Sequence, residues 1–512
     1  MSLTVRFSRS SLYHNISHSG KPIGSGLFLK AKFRPDGQFD KIKARLVSRG
    51  NHQDASAYAH EERTAPTVSL TATLATVAVA AGERAKVENF DITSAFTFAA
   101  MKKKVYMLLD KTVSAIYVQL FPEVKQYVDA KGEINVQLLR ALYGCLESAQ
   151  LWNELFSKLM ISAGFKNSVL EPCVWKKGDG KSWIVVLIYV DDGLVVASDD
   201  AQMSDFKSQM LEWFREHAKF TSGPIINYVG MVLDFSKPGV CRVSMPHAIK
   251  GLMDDYSFEC RAHKTPAGEG LFNVDEASPP LRGDSFDIFY SVVYRLLYIA
   301  KRVLPDILVA VQFLTTRVTK STQEDMDKLV RILRYVKDLK DPAIYLSAEL
   351  IALLLRVCAD AAFGVHMDGK SQSGLTMSIG QGTILTKSTK QRSVTKSSTE
   401  AEMKTANEAT TDLIWVRRFL YETWWWVPEQ PAVLEQDNSS AIALINNGKS
   451  NSDRTKYLAI DQFFVSDRQS SGELVVKKVD TLLMDADFLS KATQGDVFAS
   501  HVARVTGRAK VV

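Results

Sequence analysis

One hairpin signal near the middle of this chain constrains its fold more than any other feature. The run Trp183–Val190, with Ile184-Val185-Val186-Leu187-Ile188 at its heart, meets Asp191-Asp192-Gly193 and then Leu194–Ala197. A strand that is apolar at every position is buried on both faces, so it belongs inside a sheet. Two adjacent aspartates at the tip of such a hairpin repel each other, and a divalent cation would offset that repulsion. The competing explanation is an ordinary Asp-Gly turn, and on the hairpin alone it is the better one.

A second acid ends a second apolar strand. Val87–Asp91 leads into Ile92-Thr93-Ser94-Ala95-Phe96. If the two strands are neighbours, Asp91, Asp191 and Asp192 form a trio that could hold two divalent ions. Around them, strand-like runs alternate with helical patterns, which gives a mixed α and β class. Val68–Ala81 reads as a buried helix. Ala149–Gly164 has helical periodicity, with Leu151, Leu155, Leu159 and Ile161 on or near one face. Residues Asp287–Leu339 are largely helical, with Pro305 at the first turn of a helix. A fresh α/β pattern begins near Leu350 with a strand through Leu353–Cys358. Glycine-punctuated strands run on to about Thr395, and a long helix from Ser398 ends at the Pro-bearing stretch Glu422–Pro431.

The length of 512 residues exceeds what one hydrophobic core normally serves. With 46% hydrophobic and 23% charged residues, the composition is that of a globular chain and excludes a largely disordered one. A net charge of +6 permits a polyanionic partner without arguing for one. The basic residues cluster at Lys102-Lys103-Lys104, Lys176-Lys177, Lys387 to Lys396 and Arg454 to Lys456; solvated faces explain such clusters equally well. Five scattered cysteines form no Cys-x-x-Cys pair, so neither a zinc site nor a disulfide framework is expected, and a reducing compartment is. No apolar run approaches the roughly 18 residues of a membrane span; Leu350–Leu355 is of core-strand length. Met1–Gly20, rich in Ser and His, reads as a poorly ordered extension.

The last third of the chain carries separated acids. Asp360 lies at or near the end of the Leu353–Cys358 strand, Glu400 and Glu402 open the long helix, Asp437 follows Ala432–Glu435, and Asp487 precedes Phe488-Leu489. Singly, each is explained by capping or a turn. Residues two apart on a helix point in different directions, so Glu400 and Glu402 cannot both face one centre.

Together these blocks resemble the copia-type LTR retrotransposon Pol polyprotein, in its reverse transcriptase and ribonuclease H region. Tyr189-Val190-Asp191-Asp192 resembles the signature turn of reverse transcriptases. Lys43–Gly50, Thr64–Val68, Val105–Met107, Leu142–Gly144, Tyr228–Met231, Thr265-Pro266, Pro305–Ile307 and Arg331–Tyr335 follow in the family's order. So do Lys396–Glu402, Gln436–Ile442, Asn451–Lys456 and Ala486–Lys491, and the likeness runs from about Gly26 to Ala492.

The resemblance implies an α+β fold: a right-hand polymerase of fingers, palm and thumb or connection, followed by an α/β ribonuclease H-like domain. The expected division is an N-terminal extension at 1–25, fingers and palm at 26–245, and a helical thumb or connection at 246–345. A ribonuclease H-like domain at 346–495 and a tail at 496–512 complete it. Asp91, Asp191 and Asp192 are then palm metal ligands. Asp360, Glu402, Asp437 and Asp487 form a second set, with Glu402 favoured over Glu400. Each centre would hold two Mg²⁺ (or Mn²⁺) ions. Lys43 and Arg45 would clamp a triphosphate. Phe96 would select deoxynucleotides, a core Phe being the competing explanation. Tyr143 and Gly144 would lie near the incoming base, with a plain turn as the rival. The implied partners are an RNA template, a DNA primer, the RNA–DNA hybrid and dNTPs. Lys387–Lys396, with Arg392, would follow hybrid phosphates. The implied place of action is a cytoplasmic particle, or the nucleus.

Several positions depart from the family pattern. Tyr457 stands where a histidine usually follows, Leu304 where an arginine precedes Pro305, and Ala361-Ala362 follow Asp360 where a second acid is commoner. Trp424-Trp425-Trp426 has no evident family counterpart. None removes an acid, but they raise the alternative of a catalytically decayed, nucleic-acid-binding remnant. The protease and integrase expected upstream are not in the sequence, which raises the expectation of a fragment or a truncated gene.

Overall fold

The apolar run pairs on both sides. In the computed structural model, which describes residues 12–13, 22–33, 39–256, 263–424, 426, 430–448 and 459–509, Ser182–Tyr189 lies between Val174–Asp179 and Asp192–Ala197. The antiparallel sheet continues through Lys86–Ile92 to Ala218–Thr221 on one side and ends at Lys166–Asn167 on the other. Residues Trp183 to Ile188 and Leu194 to Ala197 are buried, as an all-apolar strand pair requires. The helix Asp200–Phe214 covers this sheet, and Met203, Phe206, Met210 and Phe214 are its buried side chains.

A second sheet precedes it, in the order Leu12–Tyr13, Ile134–Arg140, Ala100–Leu109, Ile23–Phe33, Phe39–Ser48. Val105, Met107 and Leu109 alternate inward against Ile134, Val136 and Leu138, the period of two that a one-sided strand pair needs. The expected extension at 1–25 is therefore corrected: Leu12–Tyr13 pairs with Leu138 and Gln137, and a strand begins at Ile23. The rest of Met1–Gly20 lies outside the described residues.

A third sheet, Ile225–Tyr228, Met231–Asp234, Cys241–Ser244 and Ala343–Leu346, joins segments about 100 residues apart in sequence. Between its last two strands the chain forms the helices Pro246–Asp255, Asp284–Ala300, Leu308–Thr315 and Gln323–Asp338, with Pro305 opening the turn into the third of them. The expected buried helix is Leu70–Gly82; it is covered almost all round and touches both Cys241–Ser244 and Ala343–Leu346.

The fourth sheet has the order Leu385–Val394, Lys370–Ser378, Arg356–Ala362, Ala432–Gln436, Leu474–Lys478. Its first three strands are antiparallel and its last two run parallel to Arg356–Ala362. The long helix Ser398–Trp424 crosses it. An α+β class is what forms: antiparallel sheets and helices first, then this five-stranded α/β unit.

Four local expectations need correction. Ile161 is 61% exposed, because it lies two residues, or about 200°, past Leu159; the buried face of Ser148–Ser162 centres on Trp152, Phe156 and Met160. Leu350–Leu355 is not a strand: Leu350–Ala352 is a single 3-10 turn, and Ile351 is 92% exposed. The strand expected at Leu353–Cys358 runs instead from Arg356 to Ala362, with Asp360 near its end. The tail expected at 496–512 is largely the helix Gly495–Val505, which buries Phe498, Val502 and Val505 at helical spacing. Its end is tied down where the Tyr345 amide donates to Thr506 O at 2.7 Å.

The α/β unit is fastened to the first sheet through the end of its long helix. The Glu422 carboxylate accepts from Ser168 Oγ at 2.7 Å and from the Val169 amide at 2.6 Å. Beside it the Trp183 and Trp424 rings meet edge to face at 4.9 Å. Trp425, the middle of the tryptophan triplet, lies outside the described residues. Replacing Glu422 with Ala removes two charge-assisted bonds, so a loss of about 1–3 kcal/mol is expected. Hydrogen exchange would register it as faster exchange of the Val169 amide, and unchanged exchange would refute the fastening.

Candidate functional site: two carboxylate centres

The register of the central strands decides where the first acids stand. Asp192 pairs directly with Asp91 across the strands, and Gly193 pairs with Phe90. A Cβ on Gly193 would lie 2.2 Å from the Phe90 ring, so only glycine lets the two strands close at this point. Ahead of them Val190 adopts φ +62°, a left-handed conformation costly for a β-branched residue, and its carbonyl accepts from Trp152 Nε1 at 2.6 Å. Val229, also left-handed at φ +47°, donates its amide to Asp192 Oδ2 at 3.2 Å. Such strain persists only where surrounding packing over-determines it.

Asp191 has a different partner: its Oδ2 accepts from the Tyr143 hydroxyl at 2.8 Å. Asp91 accepts from Thr93 Oγ1 at 3.4 Å. Burial, with Asp91 and Asp191 nearby, pushes Asp192 up to about 6, while the Val229 amide works against that rise. Burial, and then Asp191, pushes the Tyr143 hydroxyl well above its ordinary value, so it remains a donor.

Phe96 is buried and its ring lies 4.5 Å from that of Tyr143. The Arg45 guanidinium stands 5.8 Å from the Tyr143 ring. Tyr143 and Gly144 are bound to the strand Phe39–Ser48, where the Ser48 amide donates to Tyr143 O at 2.8 Å. Gly144 has φ +94°, and a Cβ there would lie 2.0 Å from Ser48 O. The Lys43 side chain lies outside the described residues.

The second centre is tighter. Asp360, Glu402 and Asp437 present ligand atoms that all lie within 4.8 Å of one another. Among the described residues this is the one such group of three acids, so Asp91, Asp191 and Asp192 do not converge to the same degree. Asp360 comes from the sheet's middle strand, Glu402 from the second turn of the long helix, and Asp437 from the end of the adjacent parallel strand. Glu402 accepts from Gln436 Nε2 at 3.3 Å, and Asp437 from Thr481 Oγ1 at 3.0 Å. Glu400 instead binds the Lys396 amide at 2.6 Å and Lys404 at 3.1 Å, away from the group. Asp487 is buried beside it but outside it; Lys491 bridges Asp487 and Asp360, 3.5 Å from the latter.

Two buried carboxylates and a half-buried third, with one neighbouring ammonium, are an uncompensated like-charge cluster, and oxygen donors at this spacing fit a hard divalent cation. Burial, then Asp360 and Asp437, pushes Glu402 up to about 9. Burial also pushes Asp360 up to about 6, against the pull of Lys491. Lys491 and Ser490, which donates to Asp360, were not singled out from the sequence. The signal available was the i, i+4 spacing of Asp487 and Lys491. Val229 was likewise missed, since no pattern announces a backbone amide as a carboxylate's partner.

The expected phosphate-following stretch is partly engaged. Lys387 pairs with Asp412 and Lys390 with Asp368 at 2.9 Å, while Arg392 is exposed. Leu304, the departure before Pro305, is fully buried. Tyr457 and Arg454 to Lys456 lie outside the described residues.

Residues 13–267 match the family described as Reverse transcriptase (RNA-dependent DNA polymerase), and that segment belongs to it; Pol polyproteins of copia-type transposons are similar over most of the chain. Over 492 residues it is 25% identical to the Retrovirus-related Pol polyprotein from transposon RE1 of Arabidopsis thaliana, covering 94% of this chain and 31% of that one. Over 486 residues it is 25% identical to that from transposon TNT 1-94 of Nicotiana tabacum, covering 93% and 35%. The Transposon Ty1-GR2 Gag-Pol polyprotein of Saccharomyces cerevisiae is 20% identical, covering 88% and 25%. The chain thus spans about a third or less of the length of these relatives. A solved foamy viral protease-reverse transcriptase, in complex with double-stranded DNA, aligns at 11% identity and a TM-score of 0.49, covering 92% of this chain and 67% of that one.

The raised carboxyls have a consequence for stability. Folded Glu402 and Asp360 keep protons that the unfolded chain releases near pH 4, so the folded state binds more protons above that point. Their contribution is fully present below the ordinary carboxyl range and is lost as pH rises towards about 9. Urea midpoints in EDTA should therefore fall from pH 5 to pH 9, and Glu402→Gln should flatten the slope. A slope equal in both proteins would refute the assignment.

Proposed function

We propose that the chain is an RNA-directed DNA polymerase with ribonuclease H activity on RNA–DNA hybrids, using the first carboxylate centre for synthesis and the second for cleavage. The observation that carries the reading is the strand register that sets Asp192 opposite Asp91 with Asp191 on the adjoining turn, inside a segment of the reverse transcriptase family. Asp91, Asp191 and Asp192 in the first centre, and Asp360, Glu402, Asp437 and Asp487 in the second, would hold the ions. Divalent metal, two Mg²⁺ or Mn²⁺ per centre, would supply polarisation of the attacking oxygen and neutralisation of the phosphate and leaving oxygen.

The protein's own part is positioning. Arg45, with Lys43 on the same strand, would draw in the triphosphate. Phe96, backed by Tyr143, would form the floor against which a ribose 2′-hydroxyl clashes. A path for the primer–template leads away from the first centre along the helix Asp284–Ala300. Tyr290, Tyr294 and Tyr298 are exposed there at four-residue spacing. Tyr298 donates to Val229 O at 3.2 Å, next to the amide that binds Asp192, and the Arg302 guanidinium lies 3.6 Å from its ring. Exposed tyrosines of this kind offer rings to sugars and hydroxyls to phosphates. In the second centre, recognition of the hybrid would rest on backbone and 2′-hydroxyl contacts.

Mg²⁺-dependent dNTP incorporation on a primed RNA template tests the first activity. Asp192→Asn should reduce it by at least about 100-fold, since even the outer partners of metal ligands cost 10- to 100-fold. Glu402→Gln should abolish cleavage of the hybrid and leave incorporation in place. Incorporation by Asp192→Asn equal to the parent would refute the first centre. Salt-sensitive hybrid binding without any turnover would favour the decayed remnant. Phe96→Ala should raise the use of ribonucleotides relative to deoxynucleotides by roughly 10- to 100-fold, and unchanged selectivity would make Phe96 a plain core residue.

A further inference from the structure

We infer that Tyr143 is a positioning residue that couples nucleotide arrival to metal capture: its hydroxyl holds Asp191 apart from Asp91 and Asp192 until a nucleotide displaces it. The inference rests on the reading of the first centre as a metal-dependent polymerase site. Four observations combine. The second centre's acids converge within 4.8 Å, whereas among the described residues the first centre's do not. The carboxylate of Asp191 is engaged by the Tyr143 hydroxyl at 2.8 Å, while Asp192 is engaged by the Val229 amide. The Tyr143 ring lies against Phe96, the proposed ribose floor, and near Arg45, the proposed phosphate clamp. Its backbone is bound to Ser48, the last residue of the strand that carries Arg45.

These contacts make one mechanical chain. A triphosphate that pulls on Arg45 pulls on the strand Phe39–Ser48, and Tyr143 and Gly144 are fastened to its end. The close backbone approach at Gly144, which leaves no room for a Cβ, makes that fastening stiff. A sugar seated on Phe96 presses on the Tyr143 ring tilted against it. Either displacement breaks the hydroxyl–carboxylate bond, and Asp191 is then free to turn towards Asp91 and Asp192. The site would stay weak for metal while empty and become strong when filled, which is a coupling between two ligands through one side chain.

The test uses the full chain carrying Glu402→Gln and Asp437→Asn, so that metal binding reports the first centre. Mn²⁺ affinity is measured by water-proton relaxation, with and without a primed template and a non-hydrolysable dNTP analogue. The parent should bind Mn²⁺ on the order of 10-fold more tightly with the nucleotide present, the size of one hydrogen bond to a charged group. Tyr143→Phe keeps the ring and loses the hydroxyl; it should bind Mn²⁺ about 10-fold more tightly without nucleotide, and the analogue should tighten binding less than it does in the parent. A merely structural Tyr143 would instead lower Mn²⁺ affinity and the melting temperature together, which would overturn the inference. Unchanged affinity and unchanged coupling in Tyr143→Phe would overturn it as well. If Asp192→Asn also leaves Mn²⁺ binding untouched, the first centre is no metal site, and the inference falls with that reading.

Discussion

The antiparallel register between Lys86–Ile92 and Asp192–Ala197 is held by apolar side chains, although its consequence is to face two acids across a strand pair. Because side chains alternate along a strand, a slip of one residue would turn Asp192 to the opposite face and would also drive another residue into the Phe90 ring where Gly193 now lies. Leu194, Val195, Val196 and Ala197, all fully buried, resist such a slip. The acids themselves repel and cannot fix their own positions. The same packed core maintains the left-handed backbone at Val190 and Val229, the two residues that bracket the acids in space.

The two centres solve like-charge crowding differently. In the second, a lysine stands next to Asp360 and Asp487, and burial keeps protons on Glu402 and Asp360 when no cation is there. In the first, the acids are parcelled out: Val229 takes one, Thr93 another and Tyr143 the third. The first arrangement can be rearranged by moving one side chain, whereas the second is built into rigid strands and a helix.

Much of the local structure was legible in the sequence. The unbroken run before Asp191 could only be an interior strand, and the buried helix at Leu70–Gly82 was evident from its Ala-rich apolar content. Helix geometry argued against Glu400 and Glu402 facing one centre together, the family resemblance favoured Glu402, and the structure places Glu402 with Asp360 and Asp437. Periodicity reports which face a segment buries but not what that face meets. The pairing of Cys241–Ser244 with Ala343–Leu346, the docking of Gly495–Val505 and the Tyr143–Asp191 bond were therefore invisible. The run Leu350–Leu355 failed for the opposite reason, since an apolar stretch with no partner strand becomes a turn on the surface.

The fastening of Glu422 to residues 168 to 170 bears on how the chain is made. Ser168 and Glu422 are 254 residues apart, so the sheet face near Trp183 leaves the ribosome long before its cover exists. At ordinary translation rates that gap lasts about 10–50 s, far longer than collapse or strand pairing takes. During that interval an apolar sheet face bearing Trp183 is open to other nascent chains on the same message. A product cut short before Glu422 would never close it, and a chaperone that shields aromatic surface would bind such a product in preference to the whole chain.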